Sequence, residues 1–304
     1  MDVGGAAAAP ELEVVIVSAG AGRELLRACL ASLERHPLSS GEMHVTVVDN
    51  ASSDGTVEMA RSEFPAVTVV ALDWNAGFCR ANNFALRRAT APYLLVLNPD
   101  TEATAGALDH MVALMRERPE IGVAGCRLVR RDGSFDHAAK RSFPTPLGAL
   151  AHFTGVGRRP GAGSRLSQYR ATDLDEHAFG EVDAVNGAFM LVRRDAMREV
   201  GLLDEAYWTY MEDLDWCYRF RAGGWSVFYD GRATFVHVKG GTSVVGGGHR
   251  RLRLNIAFHR GMGRFYRKFY AGRRPAFDAL VYAAIGAKLV IAASRSAIAR
   301  RSLR

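Results

Sequence analysis

Three places in this chain set polar side chains where they could do chemistry. The first is Asn98-Pro99-Asp100, which ends the apolar run Tyr93–Leu97. Proline has no N–H for a sheet ladder, so a strand over Tyr93–Leu97 must stop there, with Asp100 just beyond its carboxyl end. In open α/β sheets that edge is where ligands bind. A hard cation carrying a diphosphate takes one or two carboxylates, water and phosphate oxygens, and Asp100 is placed to supply one of them. Asn-Pro-Asp also makes an ordinary turn, so the tripeptide alone leaves both readings open. The second place is Glu212, Asp213 and Asp215, within Tyr207–Phe220, YWTYMEDLDWCYRF. Helical spacing puts Asp213, Trp216, Cys217 and Phe220 on one face. Acids in a first turn are favoured by the helix dipole whether or not they react. Among Trp208, Tyr210, Trp216 and Tyr218 they also describe an aromatic-walled pocket that would suit a sugar face. The third place is a set of polar groups at strand ends: Ser18, Asp49 with Asn50, and Asn98. Such a cluster suits a nucleotide base, its ribose and a metal-bound diphosphate, with Asp49 accepting a hydrogen bond from a pyrimidine ring N–H. Asp49, Asn50 and Asp54 are also turn formers, and Asp54 is read as no more than that.

The elements that must position these groups follow from the pattern of apolar residues. Strands are expected over 14–18, 44–48, 67–72 and 93–97, separated by helices over 23–35, 56–64 and 78–88. The first helix presents Leu25, Leu26, Cys29, Leu30 and Leu33 on one side. Strands alternating with helices mean βαβ units, a parallel sheet and right-handed crossovers. The polar strand ends should then converge on one edge. Beyond them, a helix over 106–117, a strand over 123–129 and a hairpin-type turn at Arg131-Asp132-Gly133 are expected. Residues 140–180 are rich in Gly, Pro and Arg without a period, either an acceptor-shaping insert or a variable loop. Ala188–Val192 reads as a buried strand after Asn186-Gly187. Short strands are expected over 226–229 and 234–238, the second ending near His237. Lys239–Ser243 is expected to be flexible enough to fold over a ligand.

Composition narrows the class. The chain's 304 residues allow one large or two small domains. The first turn lacks GxGxxG, which argues against a dinucleotide oxidoreductase. Cys29, Cys79, Cys126 and Cys217 are far apart and form no CxxC, as expected of reduced core residues in a cytosolic protein. Residues 1–12 lack a basic n-region and a long apolar stretch, so they read as a short disordered lead. The net charge of +7 hides an asymmetry: from His249 onward 14 Lys and Arg stand against Asp278 alone, whereas the body is mildly acidic. A basic tail of this kind meets anionic lipid or nucleic acid, and no nucleic-acid recognition motif accompanies it. In the tail, Leu254, Phe258, Met262, Phe265 and Phe269 recur at helical spacing among arginines. That pattern fits a helix lying in a lipid interface, or a helix packed on the body with its arginines in water. Residues 276–293 are Ala-rich, about long enough to cross a bilayer, and interrupted by Asp278 and Lys288.

Five motifs together carry a family resemblance: VVDNASSDGT at 47–56, NAGFCRANN at 75–83, LLVLNPD at 94–100, NGAFMLVRR at 186–194 and YMEDLDWCYRFRAGGW at 210–225. The chain resembles the inverting nucleotide-sugar glycosyltransferases of family 2, and within them the bacterial rhamnosyltransferase branch. The resemblance implies an α/β GT-A fold: a nucleotide-sugar half at 13–130 and an acceptor half at 131–248 on a mostly parallel sheet. A basic helical extension would follow at 249–304. It implies that Asp49 binds the base, with Ser18, Asn50, Asn75, Gly77, Asn82 and Asn98 lining the nucleotide pocket. Asp100 and His237 would hold a divalent cation, Mg or Mn. Asp213 would be the catalytic base, with Glu212 beside it. Two features depart from the family pattern. Ala19-Gly20 stand where an aromatic-Asn pair is common, and the DxD motif is reduced to Asn98-Pro99-Asp100. The implied reaction is inverting transfer of a sugar, best L-rhamnose from dTDP-rhamnose, to a lipid-linked or polysaccharide acceptor in bacterial cell-wall or surface-glycan synthesis. The enzyme would sit at the inner face of the membrane, on anionic lipid. Rival readings are another donor sugar, a hexosamine or galactofuranose, or a non-catalytic nucleotide-sugar binder or basic scaffold.

Overall fold

The computed structural model describes residues 9–20, 22–144, 174–238, 247–272 and 274–301. The expected flexible segment 239–243, the middle of the expected insert at 140–180 and most of the expected N-terminal lead lie outside these residues.

The first half alternates as its apolar pattern dictates. The order is β1 (Leu12–Ser18), α1 (Arg23–Arg35), β2 (Met43–Asn50), α2 (Thr56–Glu63), β3 (Thr68–Leu72), α3 (Phe78–Leu86) and β4 (Tyr93–Leu97). The next elements are β5 (Thr101–Ala103), α4 (Ala107–Glu117), β6 (Ile121–Val129), β7 (Lys140–Arg141), β8 (Phe179–Glu181), β9 (Ala184–Val185) and β10 (Phe189–Arg193). The chain continues through α5 (Arg194–Val200), α6 (Glu212–Ala222), β11 (Ser226–His237), α7 (Gly247–Phe269) and α8 (Pro275–Arg301).

One sheet runs β3-β2-β1-β4-β10-β6-β11-β5, with β8 also on β11. Neighbours among β1 to β4 are parallel, as crossovers through α1, α2 and α3 require. Strand β4 is buried along its whole length, which a run of five apolar residues needs when both faces are covered. The antiparallel β10 wedges between β4 and β6 within the same sheet. Residues 226–237 form one strand rather than the two expected, with a register shift between Asp230 and Thr234. The turn at 131–133 closes a hairpin, with Gly133 at φ +79 and Arg130 bonded to Ser134, and it returns the chain alongside Val129.

The tail docks on this body. The C-terminal part of the apolar side of α7, at Met262, Phe265 and Phe269, faces the core. Phe265 is fully buried, and Tyr218 stacks on Phe269 with ring centroids 4.0 Å apart. Burying Phe265 contributes about 2 kcal/mol to that docking. Lys268 donates to Asp204 at 2.9 Å and to Asp215 at 2.7 Å, so this cation is an internal tie. Helix α8 packs on α7 through Val281 and Ile285 against Tyr266, and leaves Leu280, Val290 and Ile291 exposed.

Candidate active site

The carboxyl ends of β1 and β2 lie side by side, with Ser18 opposite Asp49. Both residues are buried, and among the described residues Ser18 Oγ and Asp49 Oδ1 have no hydrogen-bond partner. The other oxygen of Asp49 accepts from the Ser52 N–H at 2.9 Å. A buried polar atom without a partner costs roughly 1–3 kcal/mol, so two at one sheet edge mark a place for ligand donors and acceptors. Other expected nucleotide contacts have structural work instead. Asn50 donates to the Gly77 carbonyl at 3.1 Å and accepts from the Ala76 N–H at 2.7 Å, which pins the start of α3. Asn75 accepts from the Gly77 N–H at 3.0 Å. Gly77, at φ +84, is pressed against Trp208, where a Cβ would lie 2.4 Å from the indole. Asn82 donates to the Phe78 carbonyl at 2.9 Å and keeps an unpartnered Oδ1. Asp54 binds the N–H of Thr56 and of Arg23, as a turn former does.

Asp100 follows β4 as expected, and β11 sets His237 beside it. Strand β5 pairs with β11 so that Thr101 faces His237, and the Val238 N–H donates to the Asp100 carbonyl at 2.8 Å. His237 Nε2 is 3.6 Å from Asp100 Oδ1, while its Nδ1 is 3.2 Å from Asp136 Oδ2. Burial pulls the imidazole toward neutrality, but the neighbouring carboxylates of Asp100 and Asp136 outweigh it and raise its pKa to about 9. Asp136 is fully buried and reaches the site through the hairpin. Among the described residues no three His, Cys, Asp or Glu side chains converge as a closed metal cage. The pair nevertheless fits an open cation site. Asp100 Oδ1 is buried without a hydrogen-bond donor, and Asp136 on Nδ1 turns Nε2 toward Asp100. Water and phosphate oxygens would complete such a shell.

The acid pair begins α6 on a strained entry. Tyr210 and Met211 both adopt left-handed backbone, at φ +68 and +72, which non-glycine residues seldom do outside functional sites. Asp213 is buried and ion-paired with Arg141 of β7. Its Oδ2 also accepts from the Gly187 N–H at 3.1 Å, and its Oδ1 from the Leu214 N–H at 2.8 Å. Burial first, and then the charge of Asp213, pushes the Glu212 carboxyl well above the usual carboxylate range. Glu212 Oε2 has no partner among the described residues. Asp215, by contrast, is held by Arg219 at 2.8 Å and by Lys268, and belongs to the framework. Trp216 and Tyr218 do not contribute to the expected aromatic wall. Trp216 is buried in the core and donates to the Gly201 carbonyl, and Tyr218 is covered by Phe269. The two residues lie on opposite sides of α6, and each side is packed, one on the core and the other under α7.

One short loop ties the two centres together. The Ala188 carbonyl accepts from the Asn98 N–H at 3.0 Å, and the next residue back, Gly187, binds Asp213. Asn98 itself is half-buried at the cation edge. Sequence reasoning missed Asp136 and Arg141. Asp136 follows the Asp-Gly turn by three residues, a weak signal. Arg141 has none, because only pairing of β7 with β9 brings it to Asp213.

Comparison with known proteins gives the family. The profile described as Glycosyl transferase family 2 matches residues 13–201. The chain belongs to glycosyltransferase family 2. Over 241 residues this glycosyltransferase is 30% identical to the N-acetylglucosaminyl-diphospho-decaprenol L-rhamnosyltransferase of Mycobacterium tuberculosis, covering 75% of this chain and 76% of that protein. It is 25% identical over 186 residues to the low-salt glycan biosynthesis hexosyltransferase Agl10 of Haloferax volcanii, covering 60% and 54% of the two chains. Among solved structures it is similar to the mannosyltransferase PcManGT of Pyrobaculum calidifontis, in complex with GDP-Man and Mn2+. The TM-score is 0.58 at 19% identity, over 97% of this chain and 75% of that one. The glycosyltransferase therefore has the expected α/β GT-A fold, with its large, mostly parallel sheet.

Proposed function

We propose that this glycosyltransferase moves L-rhamnose from dTDP-rhamnose, with inversion, onto a diphospholipid-linked acceptor in bacterial cell-wall or surface-glycan synthesis. The observation that carries the reading is the loop at Gly187-Ala188, which binds the Asp213 carboxylate and the Asn98 backbone at adjacent residues. A cation and diphosphate edge is thus joined to a buried acid pair. The likeness to a rhamnosyltransferase whose name specifies a diphospho-decaprenol acceptor supports both the donor and the lipid.

In this reading Ser18 Oγ and Asp49 Oδ1 receive the nucleoside, with Asn50 and Asn75 shaping the loop behind it and Asn82 Oδ1 and Asn98 free to contact it. Asp100 and His237 would hold a Mg or Mn ion, which neutralises the charge growing on the departing diphosphate. Arg141 and the two N–H groups fix the Asp213 carboxylate in place. Among the described residues its Oδ1 has one donor, so that oxygen takes the proton of the acceptor hydroxyl as the hydroxyl attacks. Glu212 stays protonated beside it and donates a hydrogen bond to the acceptor. A single displacement inverts the anomeric centre.

The same reading puts the enzyme on the inner face of the cell membrane. Pro275–Ser294 of α8 is long and apolar enough to cross a bilayer, and only 11% of its most apolar window is buried. Asp278 and Lys288 favour a helix lying in the lipid surface over one that spans it. The test is a nucleotide-sugar panel given to the full chain with Mg, Mn or a chelator, using an N-acetylglucosaminyl-diphosphopolyprenol acceptor. We expect metal-dependent turnover of dTDP-rhamnose and an inverted linkage by NMR. Preference for a hexosamine or galactofuranose donor would replace the sugar assignment. No turnover of any donor would leave a nucleotide-sugar binder.

A further inference from the structure

A cleft of about 760 Å³ opens between α7, α8 and the turn at Tyr207-Trp208. Four arginines of α7 line it: Arg253, Arg260, Arg264 and Arg267. Among the described residues none of the four forms an ion pair with a carboxylate, whereas their neighbour Lys268 holds two. Arg253 lies over the Trp208 ring, 5.1 Å from its centroid, and Arg264 over Tyr207 at 5.7 Å. The rings orient the guanidinium planes without neutralising them. Like charges three and four residues apart on a helix repel, so this arrangement disfavours the free helix and rewards a bound anion. Guanidinium forks match phosphate oxygens in pairs.

The glycines of α7 point the same way. Glycine inside a helix is unfavourable relative to alanine. Gly261 is explained by packing, since a Cβ there would lie 3.0 Å from Met211 and from the Tyr210 carbonyl. Gly263 is not: a Cβ there would meet nothing within 4 Å, and the residue lines the cleft. Its missing side chain leaves room in the cleft.

Position selects the anion. On one side the cleft wall at Gly261 touches Tyr210-Met211, the residues that lead directly into Glu212 and Asp213. On the other side Tyr282 of α8 lines the cleft, and of the exposed apolar residues on that helix Val290 lies nearest its side, Leu280 and Ile291 falling on the opposite one. A lipid-linked acceptor has sugar, diphosphate and hydrocarbon in that order. Acids and arginine cleft stand next to each other in the same order as sugar and diphosphate, with α8 on the far side of the cleft.

We propose that this arginine cleft binds the diphosphate of the polyprenyl-linked acceptor, aiming its sugar at Asp213 and its hydrocarbon along α8. The assignment rests on the acceptor class given under Proposed function. The test uses the full chain in nonionic detergent, with farnesyl diphosphate as binding probe and the N-acetylglucosaminyl-diphosphopolyprenol as acceptor. Two variants are compared: Arg260→Gln with Arg264→Gln, and Gly263→Leu, which fills the cleft without touching a charge. Each should weaken farnesyl diphosphate binding and raise the acceptor KM roughly tenfold or more, the scale of a lost charge-assisted hydrogen bond. Donor hydrolysis and kcat should hold at the wild-type level. If Gly263→Leu binds the probe like wild type, the cleft is not the site. If the double variant loses phosphatidylglycerol vesicles in the same proportion as the probe, the arginines serve the general membrane surface and the inference fails. Wild-type transfer to the lipid-linked acceptor with unchanged KM in both variants removes this inference alone. A wild-type chain that neither binds the probe nor uses that acceptor removes the acceptor class and this inference with it.

Discussion

Replacing Asp213 by asparagine separates chemistry from packing. The carboxylate accepts three kinds of donor: Arg141 and the Gly187 N–H on one oxygen, and the Leu214 N–H on the other. Asparagine has the same shape but one acceptor oxygen. With that oxygen toward Arg141 and Gly187, the Leu214 bond is lost and buried Arg141 is left without the opposite charge it pairs with. Stability should fall by roughly 3–5 kcal/mol, the scale of breaking a buried ion pair from one side. The base, in contrast, disappears. Transfer should slow by roughly 10²–10⁴-fold, the range of general acid–base groups. Donor nucleotide affinity should change little, because Ser18, Asp49 and Asp100 are untouched. A second effect carries a sign. The charge of Asp213 helps hold Glu212 protonated, so removing it moves the Glu212 pKa down toward the ordinary carboxylate range. Any residual activity that needs protonated Glu212 should therefore be lost at lower pH than in wild type. The assay is a pH series of transfer rate and donor hydrolysis, with a denaturant curve for the variant. Near-normal turnover in Asp213→Asn, with Glu212→Gln inactive, would exchange the roles of the two acids.

Asp100→Ala should weaken nucleoside diphosphate binding in the presence of Mg or Mn and leave metal-free binding unchanged; equal loss in calorimetry with and without metal would mean a damaged loop. Asp136→Asn offers one acceptor oxygen to two donors, His237 and the Ala138 N–H, so Mn affinity should fall by about 10–100-fold; unchanged affinity by titration would detach Asp136 from the cation site. Lys268→Met removes one of the cations on fully buried Asp215 and should cost roughly 2 kcal/mol, read as a lower denaturant midpoint; an unchanged midpoint would show that α7 is not tied through this residue. Changing Leu280, Val290 and Ile291 to Ser should release the enzyme from anionic vesicles in co-sedimentation while donor hydrolysis continues; full retention would remove α8 as the lipid contact.

Much of the fold was legible in the residues alone. Tyr93–Leu97 reads as a strand covered on both faces because no polar residue interrupts it, and Pro99 must end it. The alternation before it forces parallel pairing, so Ser18, Asp49 and Asp100 had to reach one edge. What the residues do at that edge was decided by contacts far apart in the chain. Asn50 and Asp49 are adjacent and equally polar, yet the first is occupied with Ala76 and Gly77 while the second keeps a free oxygen. Arg141 and Asp136 carry no periodic signal and enter the site only through the β7–β9 pairing and the hairpin beside β6. The apolar side of α7 has the spacing of an interfacial helix. The partner of its C-terminal part proved to be Tyr218 and the body's core, because burying Phe265 and pairing Lys268 with Asp215 satisfies both. Local sequence dictates where a strand or helix can exist and which side is apolar, since those depend on neighbours within a few residues. Which polar atoms stay free for a ligand depends on partners dozens of residues away, and only the folded chain brings those together.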